Sequence, residues 1–202
     1  MNVPVFCSRY AGALALVFAA ATTAQGAGDP KQFLEDGVAE VLKIVYDQPA
    51  DGQPLSARVR PILERDFDFE YTTRSAVGPA WKQFSADQQA KVVKLFGDLI
   101  MRTYVDRFEP KERPTITFGK VSRPADKRAE VASTITYEGS TYQVAYKLRE
   151  LSTGWRVYDV VAENVSMIAN YRAQFEELIR KGGPDALLRA LEQNLLQAPP
   201  KS

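Results

Sequence analysis

The chain contains no histidine, and its single cysteine, Cys7, stands close to the start. Without those side chains, Ser-His-Asp and Cys-His catalysis are excluded, as are the usual zinc sites. An intrachain disulfide is excluded too, because one cysteine has nothing to pair with. No basic run stands out: 26 Lys and Arg face 25 Asp and Glu for a net charge of +1. So nearly neutral a chain is a poor partner for nucleic acid. No apolar run is long enough to span a bilayer. A phosphate-cradling glycine loop is also missing. Gly182-Gly183-Pro184 follows a helical stretch instead of opening one after a strand, so it reads as a helix stop.

What is present begins with the first residues. Arg9 is the only charge before a small and apolar run from Ala11 to Ala21, which Thr22 to Gly28 then follow. This is the pattern of a secretory signal peptide with cleavage expected after Ala24 or Ala27. Cys7 precedes the apolar run, whereas a lipoprotein cysteine would follow it at the cleavage point. Cleavage leaves a chain without cysteine and with zero formal charge, and export without disulfides points to a bacterial periplasm. The expected organisation is a leader at 1–27, one domain at 28–197 and a disordered tail at 198–202.

In the mature chain the hydrophobic period is helical first. Asp29-Pro30 opens a helix whose apolar residues Phe33, Val38, Val41, Leu42 and Val45 share a face. A second helix carries Leu55, Val59, Ile62 and Leu63, with Pro61 expected to kink or divide it. Asp66 to Tyr71 alternates acid with aromatic, which predicts an extended, two-faced segment. Ser85-Ala86-Asp87-Gln88 is a capping box launching a long helix that runs from Val92 to Phe108 and stops at Pro110.

Beyond Pro114 the period becomes two. Strands are expected around Ile116, Phe118 and Val121; Val131, Ser133, Ile135 and Tyr137; Tyr142, Val144, Tyr146 and Leu148; and Trp155, Val157 and Val161. Short turns join most of them, so the fold class is α+β, with a four-stranded twisted antiparallel meander between N-terminal and C-terminal helices. The last helices run from Val165 to Lys181, capped by Asn164 or Ser166, and from Pro184 to Gln197.

Carboxylates are the remaining source of acid and base chemistry. Asp66, Asp68 and Glu70 read as the solvated side of a half-buried segment, because the glycine and closing glutamate of a calcium loop are missing. Asp159 falls among the inward alternate positions, so it is either a buried acid in a pocket, able to act as a general base, or a residue at a strand bend paired with an arginine. Aromatic residues crowd the long helix, the sheet and the helix after it. They either pack one another or line an apolar pocket between a concave sheet and its helices.

Two segments resemble a known family. Asp66-Phe67-Asp68-Phe69, Arg74, Gly78, Trp81, Ser85 to Gln89, Phe96 and Leu99 to Tyr104 look like the N-terminal signature of the MlaC and toluene-tolerance family. Gly154 to Val160, Val165-Ser166, Asn170 to Phe175, Gly182 and Asp185-Ala186-Leu187 look like its C-terminal signature. The chain departs from the pattern at Ala162-Glu163-Asn164, where a glycine often precedes Val165, and at Gly183-Pro184, where isoleucine is frequent.

The resemblance implies a periplasmic phospholipid-binding protein of an ABC-type transport system, not an enzyme, with helices around a deep apolar cavity. It would shuttle lipid between an outer-membrane lipoprotein complex and an inner-membrane ABC complex to maintain outer-membrane asymmetry. It needs no cofactor or metal; its ligand is the phospholipid, and the protein is expected to be monomeric with no nucleic-acid partner. The cavity is then expected to be lined by Phe96, Leu99, Ile100, Tyr104 and Phe108 of the long helix and by Val131, Ile135, Tyr142, Val144 and Tyr146 of the middle strands. Trp155, Val157 and Val161 of the last strand complete it with Val165, Ile168, Tyr171 and Phe175 of the following helix. Arg102, Arg107 and Arg172 are the expected rim for the headgroup phosphate. The alternatives are a cone-shaped α+β isomerase using Asp159 as base with a tyrosine as electrophile, and a periplasmic interaction module with a filled core.

Overall fold

The computed structural model describes residues 28–48, 52–106, 111–193 and 196. The expected leader, the expected tail, Arg107 and Phe108 lie outside the described residues. Helix α1 spans Pro30–Leu42, with Asp29 accepting from the Lys31 N–H at 3.0 Å and Pro30 in the first turn, where no donor is needed. A wide π-helical turn, Lys43–Asp47, prolongs it. Helix α2 spans Leu55–Asp66 and runs through Pro61 undivided. Both Pro61 and Ala57, whose carbonyl loses its intrahelical donor there, are exposed, so water can replace the missing bond.

Helix α3 spans Phe69–Val77 and corrects the expectation of an extended Asp66–Tyr71. Only Phe67 is extended, bridging Val157 at the side of the sheet; Asp68 then accepts from the Tyr71 N–H at 2.9 Å and starts the helix. A good N-cap outweighs alternation over so few residues. After a 3-10 segment, Gly78–Gln83, helix α4 spans Ala86–Ile100 with the expected capping box between Ser85 and Gln88, and a second π turn covers Met101–Val105.

Strands β1 (Thr115–Ser122), β2 (Arg128–Tyr137), β3 (Ser140–Leu151) and β4 (Gly154–Ala162) pair antiparallel in chain order. A fifth strand, β5 (Val165–Ser166), extends the expected four. It folds back through Glu163 and Asn164, both in the left-handed region at φ 47° and 64°. This is the two-residue turn whose twist suits a hairpin, and an asparagine accepts the conformation where a glycine is otherwise favoured. Two bonds brace the turn: the Glu163 N–H donates to the Gln143 carbonyl at 2.9 Å, and its carboxylate accepts from the Gln143 N–H at 2.5 Å.

Val165 therefore lies in a strand and not at a helix start. Helix α5, Met167–Glu192, begins at Ser166, whose hydroxyl accepts from the Ala169 N–H at 3.1 Å. Its backbone leaves helical geometry at Gly182 and Gly183, so the expected stop is a kink between two helical halves. Two apolar clusters result. One joins α3, α4 and α5 around Phe96, Tyr171, Phe175 and Leu187; the other joins α1 to the sheet around Leu34, Leu148, Trp155 and Val157. Phe67 packs against both.

Candidate functional site

Strand register decides which side chains share the sheet's inner face. Ala129, Leu148 and Val157 form one row across β2, β3 and β4, and the next holds Val121, Val131, Tyr146 and Val160. Beyond these come Phe118, Ser133, Val144 and Ala162, and then Ile116, Ile135 and Tyr142. Burial falls along this series. Leu148 is 0% exposed and Trp155 2%, whereas Val144 is 9%, Ile135 half-buried and Tyr142 39% exposed. The face is sealed at one end and open at the other.

The roof follows the same gradient. Leu34 of α1 is buried over Trp155, but Val38, Val41, Leu42 and Val45, on the same helical stripe, are only half-buried. A groove of about 530 Å³ opens between α1 and β1, lined by Val38, Ala39 and Leu42 on one side and Pro114, Ile116 and Phe118 on the other. This stripe and the groove are absent from the expected lining. The helical spacing of Val38, Val41, Leu42 and Val45 was the available signal, since so strong a stripe must face something apolar.

The expected lining residues separate into groups. Phe96, Tyr171 and Phe175 pack edge to face at 4.9 and 5.0 Å, and with Leu99 and Ile100 they fill the helical core. Ile168 is buried at the start of α5. Val131, Trp155 and Val157 belong to the sealed sheet cluster, with Tyr146 at its margin. Val144 and Ile135 lie on the open stretch of the inner face, while Tyr104 and Val165 are exposed at 42% and 48%.

Val161 is displaced to the other face. Lys147 pairs with Asp159 while Leu148 pairs with Val157, so β4 carries an extra residue and the face of each later side chain is reversed. Val160 takes the inner position opposite Tyr146, and Val161 pairs with Ala145. Alternation alone cannot reveal such a bulge.

The same bulge explains Asp159, which is buried at 2% exposure. One carboxylate oxygen accepts from the Ser166 hydroxyl at 2.7 Å and from Lys147 Nζ at 3.3 Å; the other accepts from the Ile168 N–H at 3.1 Å. Asp159 thus fixes the start of α5 to the sheet, and both of its oxygens are engaged there.

The two expected rim arginines among the described residues also differ. Arg102 is exposed, whereas Arg172 donates through Nε and Nη2 to the Ser75 carbonyl at 3.1 and 2.5 Å, stapling α5 to α3. Three tyrosines add polar marks to the apolar region. Tyr146 is hydrogen-bonded to Ser133, and burial raises its pKa; Tyr104 is raised by burial and by its hydrogen-bonded neighbour Tyr171. Tyr46, in the turn after α1, is raised by burial first and then by Tyr137.

On the outer face, Arg128 and Arg149 stack over Tyr71 at 4.8 and 4.4 Å, and Arg149 reaches Asp68 at 3.0 Å. This arrangement binds α3 to the sheet. Among the described residues, no group of three or more His, Cys, Asp or Glu is placed to hold a metal ion.

A twisted antiparallel sheet with its inner face sealed at one end and apolar but open at the other defines a class of pocket protein built for a nonpolar guest. The chain belongs to the family described as MlaC protein, which matches residues 35–193. It is similar to the intermembrane phospholipid transport system binding protein MlaC of Haemophilus influenzae, at 24% identity over 148 residues covering 69% of each chain. Its fold is similar to that of a phospholipid-binding protein from Ralstonia solanacearum solved in complex with a phospholipid. That match has a TM-score of 0.74 and 24% identity, covering 82% of this chain and 96% of the other.

Proposed function

We propose that the chain is a periplasmic phospholipid carrier that holds acyl chains between the open end of the sheet, α1 and the helices. The observation that carries this reading is the burial gradient of the inner face. Burial falls from Val144 through the half-buried Ile135 to the exposed Tyr142, and Ile135 pairs with Ile116 on the wall of the groove between α1 and β1, within a family whose relative is a phospholipid transport binding protein. Leaving two acyl chains of roughly 16 carbons in water costs on the order of 20 kcal/mol at about 0.8 kcal/mol per methylene, so a carrier must enclose both. The headgroup needs only a polar rim, to which the exposed Arg102 is suited.

In this reading residues 28–197 act as one monomeric unit after loss of the leader. Lipid passes between an inner-membrane ABC-type complex and an outer-membrane lipoprotein complex, and outer-membrane asymmetry is maintained. No reacting group is required. The isomerase alternative is disfavoured by Asp159, whose oxygens are occupied by the start of α5 and by Lys147.

The test is native mass spectrometry of protein purified without detergent. The wild type is expected to carry a species of phospholipid mass, and Val144→Trp to lose it while remaining folded by circular dichroism. Wild-type protein that is always empty would overturn the carrier reading. Full lipid occupancy in Val144→Trp would overturn the assignment of the open end.

A further inference from the structure

The groove between α1 and β1 has a direction. Its helical wall runs on from Leu34, buried in the sheet cluster, to Leu42; its other wall runs back along the chain from Phe118, packed against the same cluster, to Pro114. At about 1.5 Å per helical residue and about 3.3 Å per strand residue, the walls are about 12 Å and about 13 Å long, so they begin and end together. The closed end lies at Leu34 and Phe118, and the mouth at Leu42 and Pro114.

Arg113, the residue before Pro114, stands at this mouth. Its Nη2 donates to the Leu42 carbonyl at 3.4 Å and to the Asp47 carboxylate at 2.7 Å, and the guanidinium lies 5.6 Å from the centre of the Tyr46 ring. Nε and Nη1 donate to nothing among the described residues, and the side chain is half-exposed, so these donors can be reached from the mouth. The other charged groups nearby are engaged with one another: Lys111 pairs with Glu138 at 3.0 Å, and the Glu112 carboxylate accepts from the Glu138 N–H. Asp47 is as exposed as Arg113, and an ion pair between two exposed side chains is weak, so a better-placed anion can replace the carboxylate.

An amphiphile with a tail in the groove has its polar end at the mouth, because a charged headgroup stays in water while the tail leaves it. The planar fork of an arginine matches two oxygens of a phosphate. Neither expected rim arginine among the described residues is so placed. Arg172 has two donors engaged by the Ser75 carbonyl, and Arg102 lines neither wall of the groove.

Resting on the carrier reading, we infer that Arg113 is a ligand-binding residue that takes the phosphate of a phospholipid whose acyl chain lies between α1 and β1, with Asp47 as the anion that the phosphate displaces. Without lipid, Asp47 holds the guanidinium at the mouth. With lipid, the free donors of the fork turn to the phosphate oxygens. A lipid with the same tails and no phosphate leaves the Arg113–Asp47 pair as it is, so the mouth selects for a phosphate-bearing headgroup.

Delipidated mature protein incubated with vesicles of phosphatidylglycerol containing diacylglycerol of the same acyl chains tests this. Native mass spectrometry reads the ratio of the two bound lipids within one sample, which cancels any general loss of folding or of the groove. Arg113→Gln is expected to lower the ratio of phosphatidylglycerol to diacylglycerol by about fivefold or more, as expected for a charge-assisted hydrogen bond. Asp47→Asn is expected to raise it, because the competing carboxylate is gone, whereas an ion pair that only fastens α1 would give no rise. Millimolar inorganic phosphate is expected to leave the wild-type ratio unchanged, since free phosphate brings no tail to the groove. A ratio that Arg113→Gln leaves unchanged overturns the inference, and one that Asp47→Asn fails to raise overturns the exchange with Asp47. A ratio that inorganic phosphate collapses assigns the site to a free anion and overturns the lipid assignment. Wild-type protein that loads neither lipid is a different outcome, which overturns the carrier reading beneath it.

Discussion

The two ends of the sheet's inner face use similar side chains to opposite effect. At one end Leu34, Ala129, Leu148, Trp155 and Val157 close on one another, and the Trp155 indole donates to the Gly28 carbonyl at 3.0 Å, tying the start of the described chain across the strands. At the other end Ile116, Ile135 and Tyr142 are just as apolar but stay half-buried or exposed, and the α1 stripe above them is half-buried as well. Composition cannot separate the two ends. What covers them does: Leu34 of α1 packs into the sheet cluster at the sealed end, while at the open end Arg113 holds the end of α1 by donating to the Leu42 carbonyl at 3.4 Å. The sealed end packs against α1, whereas the other end keeps apolar surface exposed.

Breaking the sealed end is expected to have the largest effect. Trp155→Ala removes a side chain that is 2% exposed, together with its indole hydrogen bond, and is expected to cost about 3–5 kcal/mol. Val144→Ala at the open end is expected to cost only about 1–2 kcal/mol, since valine gives up far fewer buried atoms than tryptophan. Urea denaturation of lipid-free protein checks both. Equal losses would mean that the two ends are packed alike.

Asp159 tests the link between sheet and helices. Asp159→Ala leaves the Ile168 N–H, the Ser166 hydroxyl and Lys147 without their acceptor, and a destabilisation of about 2 kcal/mol is expected. Because the Asp159 oxygens are engaged by Ser166, Ile168 and Lys147 at the start of α5, Asp159→Asn is expected to lose part of that stability while still loading lipid. Denaturant midpoints and lipid occupancy, measured on the same samples, separate the two roles. Full stability combined with lost loading would place Asp159 in the binding site instead.

Much of this was legible from residue order. The capping box at Ser85, the Asp29-Pro30 start of α1 and the alternation of β1 to β4 are local signals, and local signals survive folding when tertiary contacts agree with them. The family signatures at both ends of the chain carried the rest of the functional reading. Val161 was misplaced because a bulge depends on how β4 pairs with β3, and pairing is not written in one strand. Phe96, Tyr171 and Phe175 were expected in the lining because apolar spacing marks the face a helix buries but does not say whether ligand or protein lies opposite.

The smallest expected effect concerns Tyr146, which stands at the border between the two ends. Burial raises its pKa above the ordinary value of 10.0, outweighing the Ser133 hydrogen bond that lowers it. The folded protein therefore keeps this proton at a pH where the unfolded chain has released it. The stability it contributes is complete below the ordinary phenol range and is lost as pH rises through the folded pKa. At about pH 10.5 the loss from one retained proton is at most about 0.8 kcal/mol. Thermal unfolding between about pH 9 and 11 is expected to fall more steeply for wild type than for Tyr146→Phe, which has no phenol to ionise. Bound lipid is expected to steepen the wild-type fall further, since a tail laid against Tyr146 withdraws the ring from whatever water reaches it from the open end. If lipid leaves the slope unchanged, the guest stops short of Tyr146, and the boundary between the sealed and open ends lies nearer to Val144.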